Sequence, residues 1–193
     1  MAAGATLWLT YVELKMKAQP GFTLIELMIV LAIAAVLLGV ALPAFSGGLE
    51  AARSLDARSS LLSSLQSASG RAAITGVHGV LCPSLDGVAC ADSPDWSFGW
   101  LVFLDPNASR ELEGGERILH VQAALSGKVH LRSTAGRTRI VFQGNGGNAG
   151  SNVTFTLCDG RGPARARALI MSNVGNLRDG VATVANLAAT CPR

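Results

Sequence analysis

The stretch Phe22–Phe45, "FTLIELMIVLAIAAVLLGVALPAF", restricts what this chain can become more than any other feature. It carries no charge from Leu27 to Phe45. As a helix its 24 residues extend about 36 Å, enough to cross the hydrocarbon core of a bilayer. One such run predicts a single span and argues against a channel or multi-span transporter. Lys15 and Lys17 precede it, so the positive-inside rule keeps the N-terminus cytoplasmic and exports the remainder. Glu26 conflicts with this simple picture. An unpaired acid at mid-bilayer costs about 2.5–3.5 kcal/mol, so a retained one requires a partner. A place in the first turn of a helix, near the positive end of its dipole, eases only part of that cost. A cleaved secretory signal is the rival reading, with the cut at the small residues of "LLGVALPAF". That reading leaves Glu26 unexplained, and the apolar run exceeds the usual core of roughly 7–15 residues. Retention of the segment is therefore expected.

Export bears on the cysteines. Cys82, Cys90, Cys158 and Cys191 all follow the apolar run, and none forms the close C-x-x-C pair that zinc favours. In an oxidising compartment two disulfides are expected instead. Three pairings are possible; the favoured one closes the short loop "CPSLDGVAC" through Cys82–Cys90 and pins the C-terminal tail through Cys158–Cys191.

The net charge of +3 is too small to imply a nucleic-acid partner by itself. Its distribution is uneven. Residues 46–127 hold 5 basic and 9 acidic side chains, whereas residues 128–193 hold 9 basic and 2 acidic. The arginine-rich last third is either an ordinary solvated surface or an anion-binding one.

Beyond Pro43, apolar residues recur near helical spacing at Leu49, Leu55, Leu61, Leu62 and Leu65. The helix is predicted to resume after Gly47–Gly48 and to end near Ala73. From His78 the pattern becomes strand-like: "HGVLC", "FGWLVFLD", "ERILHVQA", "KVHLRS", "TRIVFQ", "NVTFTLCD" and "ARALIMS", separated by turn-rich pieces. No helical pattern intervenes, so the strands should be antiparallel. The expected fold is α+β: a long N-terminal helix, transmembrane over 22–45 and amphipathic over 46–75, packed on an antiparallel β-domain of about seven strands in 76–193. Trp96 and Trp100 are expected to act as core or sheet-edge anchors.

Catalytic signals are lacking. There is no G-x-S-x-G elbow, and His78, His120 and His130 fall in separate strand-like segments without metal-ligand spacing, although the last two are candidates for cross-strand neighbours. "GNGGNAG" precedes a strand rather than a helix, so a hairpin loop is expected there and not a phosphate loop. No catalytic residue, metal or cofactor is expected.

The motif "GFTLIELMIVLAIAAVL" resembles the N-terminal signature of type IV prepilins and type II secretion pseudopilins. The resemblance implies that a prepilin peptidase cuts the Gly21–Phe22 bond on the cytoplasmic face of the inner membrane and methylates Phe22. It implies that Glu26 pairs with the N-terminal amine of an adjacent subunit, which supplies the missing partner, and that Pro43 is a helix-kinking proline. It places the C-terminal domain in the periplasm, with other pilins or pseudopilins as partners. Residues 1–21 would be the leader; the alternative start at Met16, giving "MKAQPG", looks more like those of the family. In the β-domain, "DWSFGWLVFLDPN", "ERILHV", "FQGNGG" followed by "NVTFTLCD", and "ARALIMSNVGNLR" resemble the GspH/FimT branch. Membership there implies a minor pilin of a type IV pilus or, alternatively, the minor pseudopilin H of a type II secretion system. Some relatives bind DNA for uptake through a Gly-Arg-x-Arg motif. The matching segment here, Gly175-Asn176-Leu177-Arg178, lacks the first arginine. Arg161 and Arg193 stand near the Cys158–Cys191 pair, and Arg165 and Arg167 alternate with Ala as on one strand face. Arg165, Arg167 and Arg178 are the candidate DNA contacts.

Overall fold

A computed structural model describes residues 21–150 and 152–191. The expected leader, the Met16 start and Arg193 lie outside the described residues. The chain divides into two compact units, Met1–Ala41 and Leu42–Arg193.

Helix α1 runs unbroken over Leu24–Thr75. The interruption expected at Gly47–Gly48 does not occur, and the end falls two residues beyond Ala73. Glycine costs a helix only about 1 kcal/mol per residue, which good helix formers on both sides overcome. Pro43 is also within the helix; a proline there withholds the N–H that would bond to the Gly39 carbonyl. In the first unit the apolar side chains of α1 are uncovered, Leu24, Leu31 and Val36 among them. Among the described residues α1 is the one helix long and apolar enough to cross a membrane, with a mean hydropathy of 2.8 over its most apolar window.

In the second unit the rest of α1 lies against eight strands. They are β1 (His78–Pro83), β2 (Trp100–Asp105), β3 (Arg117–Gln122), β4 (His130–Ser133), β5 (Ile140–Phe142), β6 (Val153–Cys158), β7 (Arg167–Met171) and β8 (Leu177–Gly180). A 3-10 turn, Pro163–Arg165, precedes β7, and a short helix α2 (Val184–Thr190) ends the domain. Two four-stranded sheets form, ordered β3-β2-β1-β5 and β4-β6-β7-β8, with every pairing antiparallel. The seven expected segments each hold one strand. The eighth, "LRDG", exists because a tight turn at 172–176 brings it back on β7, Leu177 opposite Met171. Helix α2 is capped by Thr183, whose Oγ1 accepts a bond from Asn186 N at 3.3 Å.

One stripe of α1 faces both sheets: Ala57, Leu61, Leu65, Ala68 and Ala72, in helical steps of three and four. It packs on Trp100 and Val102 of the first sheet and on Leu131, Phe155 and Met171 of the second. Leu55, expected in this stripe, is exposed because it sits about 200° around the helix from Ala57. Leu49 is exposed as well. Trp96 and Trp100 are both fully buried; Trp96 meets Phe155 edge-on at 5.3 Å, and Trp100 Nε1 donates to Ser64 Oγ at 3.0 Å. Strand β1 crosses the helix so closely that a β-carbon at Gly79 would stand 2.5 Å from the Ala68 carbonyl oxygen. A smaller core on the other face of the first sheet gathers Val80, Cys82, Leu101, Phe103 and Val141.

The disulfides join Cys82 to Cys90, beside that second core, and Cys158 on β6 to Cys191 at the end of α2. The latter spans 33 positions of sequence. Replacing both of its cysteines by serine is expected to cost roughly 2–4 kcal/mol. A thermal melt should show the loss, and amide exchange should rise first in α2, which is tied to the sheet there.

Candidate functional site

The helix start holds the residues expected to serve processing and assembly. Gly21 and Phe22 are exposed and precede the helix. Thr23 caps α1: its Oγ1 accepts from Glu26 N at 3.2 Å, and its carbonyl accepts from Leu27 N at 3.2 Å. Glu26 is thus the third helical residue of a Thr-x-x-Glu capping spacing. Sequence reasoning centred on the charge of Glu26 misses this cap, although Thr three residues before Glu, ahead of an apolar run, is its signal. The Glu26 carboxylate is exposed and has no hydrogen-bond or ion-pair partner among the described residues.

The arginines of the last third do not form one strip. Gly162, at φ 88°, and Pro163 turn the chain into the 3-10 segment, so Arg165 lies there and not on a strand beside Arg167. Arg167 begins β7 on the same face as the core residues Leu169 and Met171. Arg178 lies opposite Ile170, on the other face of that sheet. Asn176 closes the β7–β8 turn, its N–H bonding to Ser172 Oγ at 3.1 Å. Arg161 is engaged by Asp159 through two bonds, Nη2–Oδ2 at 2.7 Å and Nε–Oδ1 at 2.9 Å. Nearby, Glu50 of α1 accepts from Gly160 N at 3.2 Å and from Arg53 at 2.7 Å.

The Asp159 carboxylate is buried, yet the Arg161 guanidinium and backbone N–H, with Ser54, hold its pKa below the ordinary 3.8. A group lowered in the folded state contributes stability above its unfolded pKa and loses it as pH falls through the folded one. Melting temperatures of the native chain and of Asp159→Asn should therefore differ most at neutral pH and converge below about pH 4.

The three histidines stay apart: His78 opens β1, while His120 and His130 lie in different sheets, not across adjacent strands. Among the described residues no group of three or more His, Cys, Asp or Glu side chains could hold a metal ion. The "GNGGNAG" segment folds back on β5 as a hairpin loop, with Gly146 N bonded to Gln143 O at 2.7 Å and Asn148 bridged to Phe142.

A family model described as type II transport protein GspH matches residues 57–175, and one described as the prokaryotic N-terminal methylation motif matches residues 16–42. No curated protein matches the sequence. Among solved structures, the chain is similar to the type IV minor pilin FimU of Pseudomonas aeruginosa strain PAO1, at 15% identity and a TM-score of 0.52, over 77% of this chain and 96% of that one. A second crystal form of FimU gives 16% identity and a TM-score of 0.48, over 72% and 97%. At such identity the likeness concerns the fold: one long helix followed by antiparallel sheets.

Proposed function

The chain belongs to the GspH family, a minor pilin or pseudopilin with an N-terminal methylation motif, and on that premise we propose that it is a minor pilin that primes assembly of a type IV pilus. The observation that carries the reading is the bare apolar half of α1. Leu24, Ile25, Leu31 and Val36 are exposed together on a run of apolar helix that soluble proteins rarely leave open to water. Lipid of the inner membrane covers it before assembly, and neighbouring subunits' helices cover it in the fibre. The peptidase cuts Gly21–Phe22 and methylates Phe22, the N-terminus faces the cytoplasm, and the β-domain stands in the periplasm. Glu26 then meets the N-terminal ammonium of an adjacent subunit, each charge offsetting the other's burial. Pro43 is the point where the helix bends.

The match to the type II transport family favours a second reading, a minor pseudopilin of a type II secretion system. Deleting the gene and scoring surface fibres and exported proteins in the same cells separates the two. Loss of fibres with normal export supports the pilus. Loss of export with normal fibres assigns the chain to the secretion system.

A further inference from the structure

Three arginines from two loops, Arg110 on one and Arg137 and Arg139 on the other, line one polar cleft in the β-domain. Arg110 lies beyond β2, Arg137 in the turn after β4, and Arg139 just before β5. With Thr138, Asn148 and Gly150 they line a cavity of about 190 Å³, and among the described residues no carboxylate is part of its wall.

The three guanidiniums are not equivalent. Arg139 is held in place: Nη2 bonds to Glu111 at 2.7 Å, Nη1 to Asp92 at 3.4 Å, and Nε donates to the Arg110 carbonyl at 3.0 Å. It thereby fastens the loop that carries Arg110. That loop is further fixed by the buried Asp105 carboxylate, which accepts from Ser109 N at 3.1 Å and Arg110 N at 2.8 Å and holds Arg110 at φ 65°. Arg137 follows a turn closed by its own N–H to the Thr134 carbonyl at 3.0 Å, with Gly136 at φ 76°. The side chains of Arg110 and Arg137 have no hydrogen-bond or ion-pair partner among the described residues. Gly150 leaves room beside Arg137, where an added β-carbon would stand 3.3 Å from Nη1.

An anion held between the two unpaired guanidiniums, beside the third that Glu111 and Asp92 fix in place, would offset the repulsion of like charges around one cavity. A carboxylate offers two oxygens, enough for one planar fork. A phosphate group offers oxygens in several directions and can bridge forks that approach from different sides. We propose that this cleft binds the oxyanion of a phosphate group through Arg110, Arg137 and Arg139, the source being free phosphate or the phosphodiester of a nucleic acid. It lies on turns distinct from those of Arg165, Arg167 and Arg178, and the proposal does not depend on the pilus reading.

The test uses the full chain in a non-ionic detergent, titrated calorimetrically at constant ionic strength with inorganic phosphate, with acetate and with a short oligothymidylate. Saturable phosphate binding is expected, weakened about tenfold or more in Arg137→Gln and in Gly150→Val, which fills the cleft, and within about twofold of native in Arg178→Gln. Tighter binding of the oligonucleotide assigns the site to phosphodiesters, and tighter binding of inorganic phosphate assigns it to the free ion. The proposal is overturned if phosphate does not saturate, if acetate binds equally well, or if Arg137→Gln in a chain with native melting temperature binds as the native chain does.

Discussion

A Glu26→Gln chain is expected to be cut normally at Gly21–Phe22 and then to be missing from the filament. Glutamine keeps the length of the side chain and its place three residues after the Thr23 cap, whose bond comes from the backbone N–H of residue 26. The helix start should therefore survive. What disappears is the carboxylate, which has no partner among the described residues and is available to another chain. Without it, the ammonium created at a neighbouring Phe22 enters an apolar environment unpaired, at a cost of about 2.5–3.5 kcal/mol. That corresponds to a drop on the order of a hundredfold in the partition of subunits from membrane to fibre. Immunoblots of sheared fibres against membrane fractions would measure it, with Thr23→Ala as comparison. The threonine variant loses only the cap, about 1 kcal/mol of helix stability, and should still be incorporated. Normal incorporation of Glu26→Gln would sink the pairing model.

A valine at Gly79 should do the most damage to the exported domain. The side chain would enter where β1 touches α1, against the backbone oxygen of Ala68, which cannot move aside as a flexible side chain can. Helix and strand would have to separate, opening the core around Leu65, Trp100 and Phe142. The expected loss is about 3 kcal/mol or more, a large part of the 5–15 kcal/mol that holds a typical domain together. Gly114 provides the contrast, since nothing lies within 4 Å of an added β-carbon there. Gly114→Val should change stability by less than about 0.5 kcal/mol. Denaturant midpoints followed by the fluorescence of the buried Trp96 and Trp100 would compare the two. Equal midpoints would show that the helix and β1 are less tightly apposed than the Gly79–Ala68 contact requires.

This contact also explains where the sequence misled. The helix stripe that enters the core is mostly alanine, and at Ala68 the β1 backbone approaches the helix so closely that Gly79 has no room for a β-carbon. A reading that looks for large apolar side chains selects Leu55 instead, which is exposed. Strands β1, β2 and β4 to β7 were legible because each buries aromatic or aliphatic residues within a run bounded by turns, and β3, which buries none fully, through Ile118, Leu119 and Val121 in a run bounded the same way. "LRDG" of β8 has no such pattern and owes its existence to its partner strand. The cysteine pairing was legible from loop length and from the expected compartment. Thr23 and Glu26 lie within one motif, where the charge of Glu26 is the louder signal and the Thr-x-x-Glu spacing of the cap the quieter one. Arg137 and Arg139 share one loop, but Arg110 comes from another 27 residues earlier, and no local signal brings it to them.

Both covalent cross-links close inside the β-domain, and neither reaches α1. If assembly draws the helix out of the bilayer, as the proposed function requires, the tension reaches the domain through the backbone that leads from α1 into β1, through side-chain interlock from Ala57 to Ala72, and through polar bonds such as Glu50 with Gly160, Arg58 with Asp179 and Ser64 with Trp100. These contacts lie in a row along one helix, so a load along its axis shears them together instead of peeling them open one by one. The force needed to shear them should consequently be the same with the disulfides intact or reduced, provided the sheets themselves hold.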